Sequence, residues 1–259
     1  MGDIHVGYRG EIAVITINSP GRLNAFTRAM RRRIVESLAR VEKDPALAGA
    51  ILTGAEDAFC AGQDFNESMT WTQDTPWVDE FEELYRGFLA FKKPLVAAVN
   101  GVAAGGGFQA ALLCDYRVAH DDVHMGQTEV KWGLASVTGT WLLQKSVGMA
   151  RARELALSGR LVTGQELLDL GLIDMIVPRP DVMQAALAAC RNLAASPADS
   201  VARTKRWLYE CVSGELSMVF EAARRLHREG FASGVSQAGA ANFIARKESR
   251  SPARREESL

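Results

Sequence analysis

The longest unbroken apolar run that ends in a turn signal is Leu95-Val96-Ala97-Ala98-Val99, followed by Asn100-Gly101. A run without polar interruption predicts a strand buried on both faces, because a half-solvated strand alternates apolar and polar positions. Residues 12–17 are rich in β-branched side chains and end in Asn18-Ser19-Pro20-Gly21, which predicts a strand and then a turn. Residues 49–54, 116–119 and 173–177 read as further short strands. Helical spacing of Met30, Ile34, Leu38 and Val41 predicts an amphipathic helix over 26–41, with Arg31-Arg32-Arg33 expected on its solvated face. Helices are also expected at 80–89, 108–113, 139–147 and 150–157. Another opens at Thr163, where Glu166 gives capping-box spacing, and stops at Gly171. Beyond Pro178 the pattern is purely helical, over 182–196, 200–211 and 215–231. Residues 66–79 are polar and irregular, and their Trp71 and Trp77 either contact a ligand or fold back on the core. The charged, aperiodic tail at 246–259 is expected to fray. Strands alternating with helices, then helices alone, predict an α/β fold with a helical C-terminal part.

Composition narrows the classes. With 47% hydrophobic and 24% charged residues and a formal net charge of −1, the chain reads as globular, with no global field to recruit nucleic acid or an anionic membrane. No apolar run reaches the roughly 20 residues that span a bilayer. The N-terminus lacks the basic and apolar regions of a signal peptide. Cys60, Cys114, Cys190 and Cys211 are far apart and read as buried free thiols of a cytoplasmic protein. No metal is expected: only His120 and His124 have helical spacing, without the glutamate of a zinc-protease motif.

The chemistry begins after Val99. Gly105-Gly106-Gly107 opens onto the helix-forming run from Phe108, so free N–H groups at the helix start converge on one point. Such a point can hold a phosphate, stabilise a developing oxyanion, or merely let helix and strand pack closely.

Other motifs occur around this unit in a fixed order: Asn18-Ser19-Pro20 with Asn24-Ala25, Phe59-Cys60-Ala61-Gly62-Gln63-Asp64, Glu129 with Gly133-Leu134, Glu154-Leu155-Ala156-Leu157-Ser158-Gly159, and Gly171-Leu172-Ile173. On these residues the chain resembles the crotonase (enoyl-CoA hydratase/isomerase) superfamily over nearly its whole length. The resemblance implies a ββα-spiral core over 1–195 and a C-terminal helical trimerisation domain over 196–259. It implies a coenzyme A thioester as substrate, no permanently bound cofactor, and a homotrimer or hexamer. Backbone N–H groups of Ala61 and Gly106 would hold the enolate oxygen, while Asn24, Ala25, Gly62 and Asp64 would line the nucleotide end of coenzyme A.

Hydratases of the superfamily share the work between two glutamates. One matches Glu129; the other falls at Gln109, whose amide cannot exchange a proton near neutral pH. Gln109, Trp77, His227 and Thr204-Lys205-Arg206 resemble the carboxymethylproline synthases, which implies decarboxylation of a malonyl-type thioester, attack of the enolate on a cyclic imine, and thioester hydrolysis. In that reading Gln109 holds a carboxylate or a water, Glu129 orients the hydrolytic water, Trp77 walls the imine, and His227 pairs with a carboxylate or phosphate. The chain departs from that branch at Gly106, where those synthases carry methionine. The alternative is an enoyl-CoA hydratase or isomerase working with Glu129 alone, and a third reading is a non-catalytic acyl-CoA binding protein.

Overall fold

The computed structural model describes residues 2–71, 74–234 and 238–239. The chain opens with an antiparallel hairpin, β1 (Asp3–Arg9) and β2 (Ile12–Asn18), whose first strand is mostly exposed, with only Ile4 of its alternating Ile4, Val6 and Tyr8 buried. Then follow α1 (Arg28–Lys43), β3 (Gly49–Gly54), β4 (Ala58–Cys60), the single turn α2 (Phe65–Ser68) and α3 (Trp77–Ala90). The central unit is β5 (Leu95–Val99), β6 (Val102–Ala104) and α4 (Gly106–Leu112), followed by β7 (Tyr116–Ala119) and β8 (His124–Gly126). The last third holds α5 (Thr138–Ser158), β9 (Val162–Thr163), α6 (Gly164–Asp169), β10 (Met175–Ile176), α7 (Val182–Ala194) and α8 (Ala198–Ala232).

One sheet runs β1-β2-β3-β5-β7-β10, parallel beyond the hairpin, and β5 sits inside it as its composition requires. Val96 and Ala98 face α7, packing with Val182, Ala186 and Cys190, while Ala97 and Val99 face the main core. A second sheet, β4-β6-β8-β9, brings the ends of β4, β6 and β8 side by side. That lateral order juxtaposes the loop after Cys60, the glycines after Ala104 and the turn after Gly126.

Several expectations change. Trp77 opens α3 rather than lying on a loop, and the helices expected at 200–211 and 215–231 are one continuous α8. The two expected at 139–147 and 150–157 form α5, broken only at Gly148 (φ 73°, ψ 167°). Thr163 precedes α6 without a side-chain capping bond, and the strand expected at 173–177 is confined to β10. Leu216, Phe220 and Ala223 of α8 belong to the main core. Cys211 is exposed, unlike the other three cysteines. Arg31 is also not solvated: it is 1% exposed on the apolar face of α1, beside Met30 and Ile34, while Arg32 and Arg33 remain outside. The tail at 246–259 lies outside the described residues.

Candidate active site

The residues after Cys60 enter the site through one parallel bridge. The Phe26 N–H donates to the Gly62 carbonyl (2.7 Å), and the Asp64 N–H donates to the Phe26 carbonyl (2.9 Å). In such a bridge the residue between, Gln63, turns its own amide to the opposite side, and Gln63 lines the cavity there. Its N–H has no hydrogen-bond partner among the described residues. The Ala61 N–H, by contrast, donates to the Leu23 carbonyl (2.9 Å), so the expectation that Ala61 supplies a free donor is corrected. The left-handed backbone at Gly62 (φ 99°) breaks the strand alternation between them, and the role passes to Gln63.

The three central glycines do different things. Gly105 has φ 52°, and a Cβ there would lie 3.1 Å from Glu129 Oε1, so its bareness admits the carboxylate. The Gly106 N–H, at the start of α4, has no partner among the described residues and lines the cavity. A Cβ on Gly107 would collide with the Cys60 carbonyl, which is the close-packing role. Gly62 (φ 99°) completes the approach, since a Cβ there would lie 2.8 Å from the Ala104 carbonyl and 3.4 Å from the Gly106 nitrogen. The Gln63 and Gly106 amides therefore flank one small space. Gly62→Ala should destabilise the protein by about 1–3 kcal/mol, read as a lowered urea midpoint, because φ and space are both wrong for a side chain.

Glu129 begins a 3-10 turn, Glu129–Trp132, that Gly133 (φ 74°) ends. Its Oε1 accepts from Gln109 Nε2 (2.9 Å), and its Oε2 is buried without a partner among the described residues. Burial pushes its pKa up to about 7, against hydrogen bonds that pull the other way. Gln109, 5% exposed on α4, has its carbonyl occupied: Tyr85 donates to it at 2.7 Å and Thr138 at 3.2 Å. The carboxamide is thus a positioned brace for Glu129.

The cavity over these groups encloses about 230 Å³ and is walled by Trp71, Trp77, Phe81, Trp132, Phe220 and His227. Trp71 and Trp77 stack with ring centres 5.0 Å apart, and the His227 ring lies 4.5 Å from that of Trp77. Burial lowers the His227 pKa to about 4, so the imidazole is neutral at neutral pH, contrary to the expectation of a charged partner for a carboxylate or phosphate. No lysine or arginine is among the described residues that line the cavity.

The fold brings together Ala61, Gly62, Trp77, Gly106, Gln109, Glu129 and His227, but not Asn24, Ala25 or Asp64. Asn24 is fully buried; its Nδ2 donates to the carbonyls of Ala55 (2.8 Å) and Ala58 (2.7 Å), and its Oδ1 accepts from the Ser19 N–H (2.8 Å). Asp64 is 2% exposed, pairs with Arg22 and caps α2 through the Asn66 N–H. Both side chains are spent on the fold, which corrects the expectation that they contact coenzyme A directly. The sequence reading missed Gln63, Tyr85, Thr138 and Arg31; only the bridge and the buried network mark them.

The cavity of this layered α/β chain thus sets two amides without partners among the described residues beside one buried carboxylate. The enoyl-CoA hydratase/isomerase family matches residues 7–252, and the chain belongs to that family, within the crotonase superfamily. It is 31% identical over 237 residues to a probable enoyl-CoA hydratase of Mycobacterium tuberculosis, covering 91% of this chain and 92% of that one. It is 28% identical to the carboxymethylproline synthase of Pectobacterium carotovorum, covering 92% and 96%. An enoyl-CoA hydratase/isomerase structure from Xanthobacter autotrophicus superposes with a TM-score of 0.85 at 27% identity, over 96% of this chain and 98% of that one. No helix among the described residues is long and apolar enough to cross a membrane.

Proposed function

We propose that this crotonase-family enzyme isomerises an enoyl-CoA thioester, with Glu129 as its single acid–base group. The thioester oxygen sits between the amides of Gln63 and Gly106. Glu129 takes a proton from Cα of a β,γ-unsaturated thioester; the C–H electron pair forms a double bond from Cα to the carbonyl carbon as the carbonyl π pair moves onto that oxygen, and conjugation with the alkene extends the dienolate to Cγ. The same carboxyl returns the proton to Cγ as the electrons flow back, which leaves the α,β-unsaturated isomer. A pKa near 7 suits a carboxyl that must both accept and release a proton.

The observation that carries this reading is the Gln109 carboxamide. Its carbonyl is held by Tyr85 and Thr138 and its amide by Glu129, so it neither shuttles a proton nor replaces a second carboxylate at a water. Hydration of an enoyl thioester by Glu129 alone is the second reading, favoured by the naming of the relatives as hydratases. The decarboxylative synthase reading has less support. A malonyl carboxylate and an imine carboxylate would both enter a cavity that holds Glu129 and, among its described lining, no cation. Incubation with a β,γ-hexenoyl-CoA should raise the absorbance of the conjugated thioester, and crotonyl-CoA should lose it more slowly. Turnover of malonyl-CoA with no change in either enoyl substrate would sink the proposal.

A further inference from the structure

Arg31 is a cation buried at the junction of α1 and α3, with its partners placed around it. Its Nη1 donates to Gln63 Oε1, and its Nη2 donates to Glu80 Oε2 (3.0 Å). The guanidinium carbon lies 4.6 Å from the Phe81 ring centre. Glu80 is 6% exposed and also pairs with Arg28 and Arg32. The other end of the Gln63 carboxamide is fixed as well: Nε2 donates to Glu67 Oε2 (2.8 Å), and Glu67 in turn accepts from the Arg28 N–H (3.0 Å).

These contacts reach the two residues that carry the amides of the site. The residue whose side chain Arg31 grips is the one whose N–H faces the cavity. Phe81, against which the guanidinium lies, stands 3.2 Å from the place a Cβ on Gly106 would occupy. Burying an arginine is costly unless it is paired and hydrogen-bonded, and a packing role alone would be filled as well by a methionine or leucine. The planar fork differs from a lysine in bonding two acceptors at fixed angles.

We propose that Arg31 is a positioning residue for the oxyanion hole: through Gln63 and Phe81 it sets the relative placement of the Gln63 and Gly106 amides. The inference rests on the proposed function, in that a thioester oxygen occupies the space between them. Displacing one of two donors by a fraction of an ångström weakens its hydrogen bond to the carbonyl oxygen in the bound state and far more once charge develops, so the larger effect falls on kcat.

Three variants test this. Arg31→Met should lower kcat for enoyl-CoA isomerisation about tenfold to a hundredfold, with KM changed less than twofold. Arg31→Lys keeps the charge but not the fork and should recover most of the melting temperature with little of the kcat. Gln63→Ala leaves the Arg31–Glu80 pair in place and should lower kcat to a similar degree, and the double variant should be no worse than the more impaired single one. The infrared carbonyl band of bound hexanoyl-CoA reports the hole without turnover. It should move down on binding to the wild-type protein and recover at least half of that displacement in Arg31→Met or Gln63→Ala. Full kcat in folded Gln63→Ala, or an undiminished band displacement in both variants, would overturn the role of Arg31. Absence of any displacement in the wild-type protein would instead overturn the oxyanion reading beneath it.

Discussion

Replacing Glu129 by glutamine should lower kcat for isomerisation by about a hundredfold to ten-thousandfold, the usual worth of a positioned acid–base group. The amide keeps the shape and can still accept from Gln109, so binding of an unreactive acyl-CoA should be unchanged. In the wild-type protein kcat/KM should rise with pH through about 7, as the carboxyl loses its proton and becomes able to take one from Cα. Stability runs the opposite way. Burial raises the folded-state pKa of Glu129 from 4.5 to about 7, so its proton-bound form favours the fold below the unfolded value and that contribution is lost as pH rises through 7. Glu129→Gln should therefore melt above the wild type at pH 8, by the equivalent of about 3 kcal/mol, and level with it near pH 4. Calorimetry at the two pH values, alongside the activity profile, checks both signs. A variant that loses activity and stability together would point to a structural carboxylate instead.

The second large effect is expected at Gln109. Leucine fills much the same volume but leaves the Tyr85 hydroxyl, the Thr138 hydroxyl and Glu129 Oε1 without their present partners. Each orphaned buried group costs about 1–3 kcal/mol, and with Tyr85 and the Glu129 carboxyl buried and Thr138 half-buried, Gln109→Leu should destabilise the protein by about 3 kcal/mol or more. For a chain of this size that lowers the melting temperature by roughly 6–12 °C. Loss of the N–H donor to Glu129 also removes a contact that favours its charged form, so the rising limb of the pH profile should move to higher pH. Thermal melts and a pH series on the purified variant test the two effects separately.

The parts legible in the sequence were those carried by local pattern. The apolar run of β5 and the glycines before α4 followed from residue type and order, while Glu129 and the glutamine opposite it were marked by the resemblance to the superfamily. What escaped depended on direction. Ala61 and Gln63 lie in one motif, but which amide faces the cavity is decided by a two-bond bridge to Phe26. Arg31 is the first of three arginines in a row, and a difference of 100° per residue around a helix separates a buried cation from solvated neighbours. Asn24 looks like a ligand contact by position, yet its three hydrogen bonds tie together segments that meet only in three dimensions. The β1 strand carries alternating Ile4, Val6 and Tyr8, yet only Ile4 is buried, so the pattern marks an exposed edge rather than a core strand.

The contact between Tyr85 and Phe220, with ring centres 5.3 Å apart and planes at 86°, ties α8 to Glu129 through Gln109. Trp141 adds a second tie, donating to Glu215 at 3.0 Å. Protein synthesis delivers the N-terminal segments first. The sheet, the glycines and Glu129 are all made before α8 exists, and a nascent chain can carry every reacting atom without the wall that holds Tyr85 in place. Completion of the wall around Gln109 therefore waits on α8, which is synthesised after every strand of both sheets.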